Sequence, residues 1–119
     1  MTKSMKRIHN VTVRRINDCN PDTSYLEQEG FEKRLDEYNR GHFEFVGIRA
    51  EAEVSFPTSP NYALIQKVTS GGLWGIESDS SEEYLQEIEQ EELRQLREQL
   101  HAMGFSKRAI DAAFKSVRV

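Results

Sequence analysis

Cysteine is nearly absent from this chain of 119 residues, and so are most of the patterns that would announce a chemistry. Cys19 stands alone and cannot close an internal disulfide, which fits a reducing cytoplasm. One cysteine and three scattered histidines do not supply the closely spaced ligand pairs of a structural zinc site. No apolar run approaches the roughly 20 residues of a membrane span. The basic opening Met1-Thr-Lys-Ser-Met-Lys-Arg7 is not followed by an apolar segment, so it does not read as a secretory signal. His9, His42, His101 and Cys19 are the candidates for nucleophilic or acid–base work. No local motif joins any two of them, and a triad needs a nucleophile, a base and an orienting group. The chain is therefore expected to be a non-enzyme without a cofactor.

What is present suits a single soluble domain over 1–119, with residues 1–8 a basic arm. Hydrophobic residues make up 37% and charged residues 30%, so a modest core carries a large wet surface. The net charge of -4 conceals an asymmetry. Residues 1–17 hold Lys3, Lys6, Arg7, Arg14 and Arg15 and no acid. Residues 77–92 hold Glu77, Asp79, Glu82, Glu83, Glu87, Glu89, Glu91 and Glu92 and no base. An acidic total argues against general nucleic-acid binding, which depends on neutralising phosphates, and suits a basic protein surface as partner.

The hydrophobic pattern predicts an α+β fold with a small antiparallel sheet of about four strands. Val11–Ile16 is β-branched and reads as the first strand. Asp18–Ser24 is a loop, and Glu27–Arg40 reads as a helix with Phe31, Leu35 and Tyr38 on one side and Gly41 as its stop. From Val46 to Phe56 apolar and polar residues alternate, predicting a long strand with one wet face. Pro57–Asn61 breaks it. Tyr62–Thr69 is a third strand, Gly71-Gly72 a two-residue hairpin turn, and Leu73–Ile76 a fourth strand. Ser80, three residues before Glu83, predicts a capping box for a long helix. The apolar stripe of that helix is Leu85, Ile88, Leu93, Leu96, Leu100 and Met103. Gln99–Ser106 resembles the Met-Gly-Phe loop of ubiquitin-associated domains. Only one short helix can follow it, so it reads as a glycine-capped helix end with Phe105 packing back. Ser106 can cap that last helix.

Three segments could carry binding. Asp18, Asn20, Asp22 and Glu29 fall at positions 1, 3, 5 and 12 of a loop resembling an EF-hand. Thr23 stands where that loop needs glycine, and Pro21 stiffens it. Thr69-Ser-Gly-Gly-Leu-Trp-Gly75 frees backbone N–H groups, but it lacks the lysine of a phosphate loop and precedes a run of carboxylates. Trp74 within it reads either as core packing or as an exposed anchor. In the acidic run, Glu83–Glu87 and Glu87–Glu91 are like-charged pairs four residues apart on a helix, an arrangement that costs stability unless a basic partner uses it.

Asp22-Thr-Ser-Tyr-Leu-Glu27, Phe45-Val-Gly-Ile-Arg-Ala50 and Thr69-Ser-Gly-Gly-Leu-Trp-Gly-Ile-Glu77 together resemble a family of small proteins of phages, prophages and other mobile elements. The resemblance covers roughly residues 10–105. It implies a context and no catalytic residues: accessory proteins of this kind often bind and disable host machinery, as anti-CRISPR and anti-restriction proteins do. The expectation is a binding protein in the cytoplasm of a bacterial host. It would offer Trp74, Glu82, Glu83, Glu87, Glu89 and Glu91 to a host protein with a basic, nucleic-acid-binding surface. A second reading has Lys3, Lys6, Arg7, Arg14 and Arg15 bind nucleic acid directly. A third makes Asp18, Asn20, Asp22 and Glu29 an ion site. Exposed strand residues such as Val11, Val13 or Tyr62 would permit a homodimer.

Overall fold

A computed structural model describes residues 6–117. The element order is β1 (Arg7–Asn17), a 3-10 turn (Ser24–Glu27), α1 (Glu32–Asn39), β2 (Phe45–Ser59), β3 (Tyr62–Thr69), β4 (Leu73–Glu77), α2 (Glu82–Ala102) and α3 (Lys107–Phe114). The fold is α+β with a four-stranded antiparallel sheet, as the hydrophobic periods predict. β2 is the spine, pairing with β1 along one side and with β3 and β4 along the other.

That last pairing corrects the hairpin expected at Gly71-Gly72. β4 does not fold back on β3. It continues along the same edge of β2, so the chain from Tyr62 to Glu77 is one strand broken by two bulges. Glu51 pairs with Thr69, Ile48 with Leu73 and Val46 with Ile76, so the outer strand gains one residue at each step. Gly72 (φ 82°) and Gly75 (φ 74°) sit in the bulges in the left-handed region, which bulges of this kind reserve for glycine. A bulge also turns an N–H out of the ladder, and a carboxylate meets each one. Glu92 Oε1 accepts from Gly72 N at 2.7 Å, and Asp18 Oδ2 accepts from Gly75 N at 3.0 Å.

The even-numbered side of β2 faces the helices. Ala50, Ala52 and Val54, with Val11 of β1, pack against Leu93, Leu96 and Leu100 of α2 and against Phe105, Ile110 and Phe114. Ile48 and Ile76 continue this layer against Leu85 and Ile88. A separate aromatic cluster of Tyr25, Leu26, Tyr38, Phe43 and Phe45 anchors α1 to the end of the sheet. α2 starts one residue later than the capping box predicts: Ser81 caps it by accepting from Tyr84 N, while the Ser80 hydroxyl donates to the Glu77 carbonyl. Its C-terminus closes with Phe105 N donating to Leu100 O and Gly104 N to His101 O, the paired bonds of a Schellman end, and Phe105 returns to the core. Ser106 caps α3. The helix expected over Glu27–Arg40 is shorter. Gly30 (φ 95°) interrupts it, leaving the 3-10 turn on one side and α1 on the other.

Strand and helix lengths do not match. Fifteen residues of β2 run about 50 Å, whereas the 21 residues of α2 cover about 32 Å. The far end of the β2–β3 hairpin therefore projects beyond the helices. The described residues extend 67 × 24 × 20 Å, with a radius of gyration of 18.7 Å against about 13–14 Å for a compact chain of this size.

Glu92 is the tie between the layers. It is buried at 3% exposure on α2, and the Ser70 hydroxyl donates to the same Oε1 at 2.7 Å while accepting from Ala50 N at 2.9 Å. Glu92→Ala would strand the Ser70 hydroxyl and the Gly72 N–H, so a loss of about 1–3 kcal/mol is expected in urea denaturation. Glu92→Gln, which keeps an acceptor oxygen, is expected to lose less. Equal stability of Glu92→Ala and the parent chain would contradict this geometry.

Candidate interaction surfaces

The acidic run divides into carboxylates that hold the fold and carboxylates that face water. Arg15, on the helix-facing side of β1, reaches α2 and donates to Glu82 at 2.5 and 3.2 Å and to Glu89 at 2.9 and 3.3 Å. Hydrogen bonds from Arg15 hold the Glu82 carboxyl below its usual range, and both acids push the guanidinium up. Glu89 is 8% exposed. It was expected on the partner-facing surface, and burial against Arg15 removes it from there. Glu82 is exposed but already occupied by Arg15. Glu77 and Asp79 are likewise occupied: Arg34 of α1 donates to them at 2.6 and 2.8 Å and stacks on Phe43 at 3.8 Å. Burial, then the Glu77 carboxylate, pushes the Tyr25 phenol up at the same junction.

Glu83, Glu87 and Glu91 remain on the outer side of α2, all exposed. Glu91 pairs with Arg94, whose hydrogen bonds hold that carboxyl low. Glu83 and Glu87 have no ion-pair partner among the described residues. With half-exposed Tyr84 they form the free acidic strip.

Trp74 lies elsewhere. Gly47 points to the face of the sheet opposite the helices, and the indole rests flat on it: a methyl group at Gly47 would stand 2.1 Å from Trp74 Cε3. The ring is pinned on one side and 43% exposed overall. Trp74 and the acidic strip are thus on opposite sides of the sheet, so the single surface expected from the sequence is two surfaces. Beside Trp74 on this open face, Glu51 is 5% exposed among Arg49 at 2.7 Å, Lys67 at 3.6 Å and Arg14 at 3.7 Å. Burial raises its affinity for a proton, but the bond from Arg49 and the charges of Arg49, Lys67 and Arg14 outweigh that and keep it ionised. Sequence reading placed Glu51 on the solvated side of the strand and missed this centre. Its cations come from β1, β2 and β3, and only their pairing brings them together.

The basic residues do not assemble into one surface. Lys3 lies outside the described residues. Lys6 donates to the Met103 carbonyl at 3.3 Å and sits over the Phe105 ring, Arg7 is exposed at the start of β1, Arg14 is on the open face and Arg15 is under α2. Alternation along β1 sends Arg14 and Arg15 to opposite faces.

The loop resembling an EF-hand does not converge either. Asp18 Oδ1 accepts from Asn20 N and its Oδ2 from Gly75 N, while Asp22 accepts from the Ser24 N–H and hydroxyl. Glu29 is exposed on the following segment. No group of three or more His, Cys, Asp or Glu among the described residues is placed to hold an ion. One pair absent from the sequence reading does form: His9 Nε2 lies 2.7 Å from the Ser55 Oγ, across the bulge between Ile8 and Asn10. Ser55 is in mid-strand with its backbone in the sheet, and no carboxylate among the described residues bonds the other histidine nitrogen. Among the described residues the pair therefore lacks the orienting group of a triad. A groove of about 560 Å³ between the 3-10 turn and α1 is lined by Glu27, Glu29, Glu32 and Asp36 and contains no histidine or cysteine.

No helix among the described residues is long and apolar enough to cross a membrane. Comparison with protein-family models, curated proteins and solved structures found no match, so no relative supplies residues to these surfaces.

The Gly47–Trp74 contact makes a prediction. Gly47→Ala forces the indole off the strand and is expected to cost about 1–3 kcal/mol in urea denaturation. In a Trp74→Ala background the same substitution should cost much less, because the obstacle is gone. Equal costs in both backgrounds would show that Trp74 does not lie on Gly47.

Proposed function

We propose that this chain is a non-enzymatic binding protein of a phage or other mobile element. It acts on a host defence protein in the anti-CRISPR or anti-restriction manner and docks the outer face of α2 on a basic surface. The observation that carries this reading is the strip of Glu83 and Glu87, one turn apart and without an ion-pair partner among the described residues, beside exposed Tyr84. Around it the same helix commits its other acids to Arg15, Arg94, Ser70 and Gly72. Self-repulsion at i,i+4 is a small standing cost that a basic partner relieves. The motifs 22–27, 45–50 and 69–77 supply the mobile-element context by resemblance.

Because the partner meets the outside of α2, the layers beneath need not move. The acidic strip steers a basic, nucleic-acid-binding groove toward the helix, and Tyr84 adds apolar contact at its edge. Trp74, on the other side of the sheet, is not part of this contact.

The test is retention of host proteins on the tagged chain at about 0.05 and 0.15 M salt, followed by affinity measurement with the purified partner. Glu83→Lys/Glu87→Lys is expected to weaken binding about tenfold or more with little change in melting temperature, since the two introduced lysines repel as the glutamates did while the one at position 87 gains Glu91. Trp74→Ala is expected to leave affinity unchanged. A partner bound equally by the double variant, or binding indifferent to salt, would refute the acidic-strip reading. Retention of bulk nucleic acid in place of a protein would replace it.

A further inference from the structure

The two edges of the sheet differ in kind. The β1 edge carries Arg7 and Arg14, exposed charges of the kind that discourage strand addition. The β3 edge, Tyr62-Ala-Leu-Ile-Gln-Lys-Val-Thr69, has one charge in eight residues. Tyr62, Leu64 and Ile65 are 75, 48 and 62% exposed, on the part of the hairpin that outruns the helices.

The hydrogen-bonding phase of this edge is fixed. Ser70 N donates to Ala50 O, so even-numbered residues of this strand point their backbone groups at β2. The odd-numbered residues point theirs outward. Thr69 O is already taken by Gln99 Nε2 of α2 at 2.9 Å. Among the described residues no strand pairs with the outward N–H and C=O groups of Ala63, Ile65 and Lys67.

We propose that β3 is a homodimer edge, pairing antiparallel with β3 of a second copy about a two-fold axis through Ile65. In that register Ile65 meets Ile65, and Ala63 meets Lys67, so all the outward groups fall in hydrogen-bonded pairs, about six bonds in all. Lys67 faces alanine and never its own symmetry mate. On the helix-facing side, Leu64 meets Gln66 and Tyr62 meets Val68. Val68 already packs on the main core, so the second copy's Tyr62 extends that core across the junction. The contact buries on the order of 1,000 Å², the lower range for a specific interface. The two sheets become one continuous sheet with both sets of helices on the same face.

This inference is independent of the acidic strip, since the outer face of α2 takes no part in it. Sedimentation velocity of the full chain is expected to show a monomer–dimer equilibrium at micromolar to submillimolar concentration. Ile65→Lys places two charges face to face on the axis and is expected to raise the dimer Kd at least about tenfold. Ile65 is exposed, so the fold should persist, as circular dichroism will show. Glu83→Lys/Glu87→Lys should dimerise like the parent. In a Cys19→Ser background, Ile65→Cys should oxidise to a covalent dimer, because paired Cα atoms are about 5.5 Å apart. Ala63→Cys should not, its mates being more than about 13 Å apart. A monomer at every concentration, a dimer indifferent to Ile65→Lys, or cross-linking through Ala63→Cys as readily as through Ile65→Cys would overturn the proposal.

Discussion

A single buried carboxylate organises the meeting of helix and sheet. Glu92 receives the Ser70 hydroxyl and the Gly72 N–H, and Ser70 in turn receives the Ala50 N–H. This chain of bonds crosses from β2 through the broken outer strand to α2. A buried carboxylate without such donors would be strongly unfavourable. With them, it meets the outer strand where that strand leaves its register, on the side of α2 that the Leu/Ile stripe turns inward. No buried side-chain nitrogen or oxygen among the described residues is left without a partner.

The surfaces follow from that arrangement. Once Glu92 and Glu89 turn inward, Glu83 and Glu87 must turn out, because residues one turn apart share a face and those half a turn away do not. The outer strand, stepped twice by bulges, carries the indole of Trp74 over to Gly47 on the far side. The excess length of β2 leaves the hairpin tip bare. An exposed acidic helix face, an open sheet face with its Glu51 centre, and a strand edge unpaired among the described residues are therefore separate features of one scaffold. They can be occupied independently.

Much of this was legible in the sequence. The alternation from Val46 to Phe56 and the Leu/Ile stripe of α2 are period signals, and they located both elements because burial on one face dictates them. The bounds of β3 were read directly from its β-branched and apolar run. Pairing was not legible. Gly71-Gly72 satisfies the local chemistry of a hairpin, and only contacts with Ile48, Val46 and Glu92 show that it is a bulge. The roles of the acids were hidden for the same reason. Glu89 and Glu92 look like members of a charge run, yet their partners Arg15 and Ser70 lie 74 and 22 positions away. A signal existed: both flank Ile88 and Leu93 on the apolar side of the helix, where a carboxylate needs a donor. The single surface joining Trp74 to the acidic strip failed because proximity in sequence does not decide which face of a sheet a side chain takes.

Amide hydrogen exchange at Gly72 and Ala50 tests the central claim most directly. If Glu92 holds the bulge, the Gly72 N–H is bonded despite lying outside the regular ladder. It should then exchange as slowly as the Ala50 N–H and the core of α2, opening only with the whole domain. Exchange of Gly72 at the rate of an exposed loop, with Ala50 still protected, would show that the bulge opens on its own. The helix would then not be tied to the sheet through Glu92.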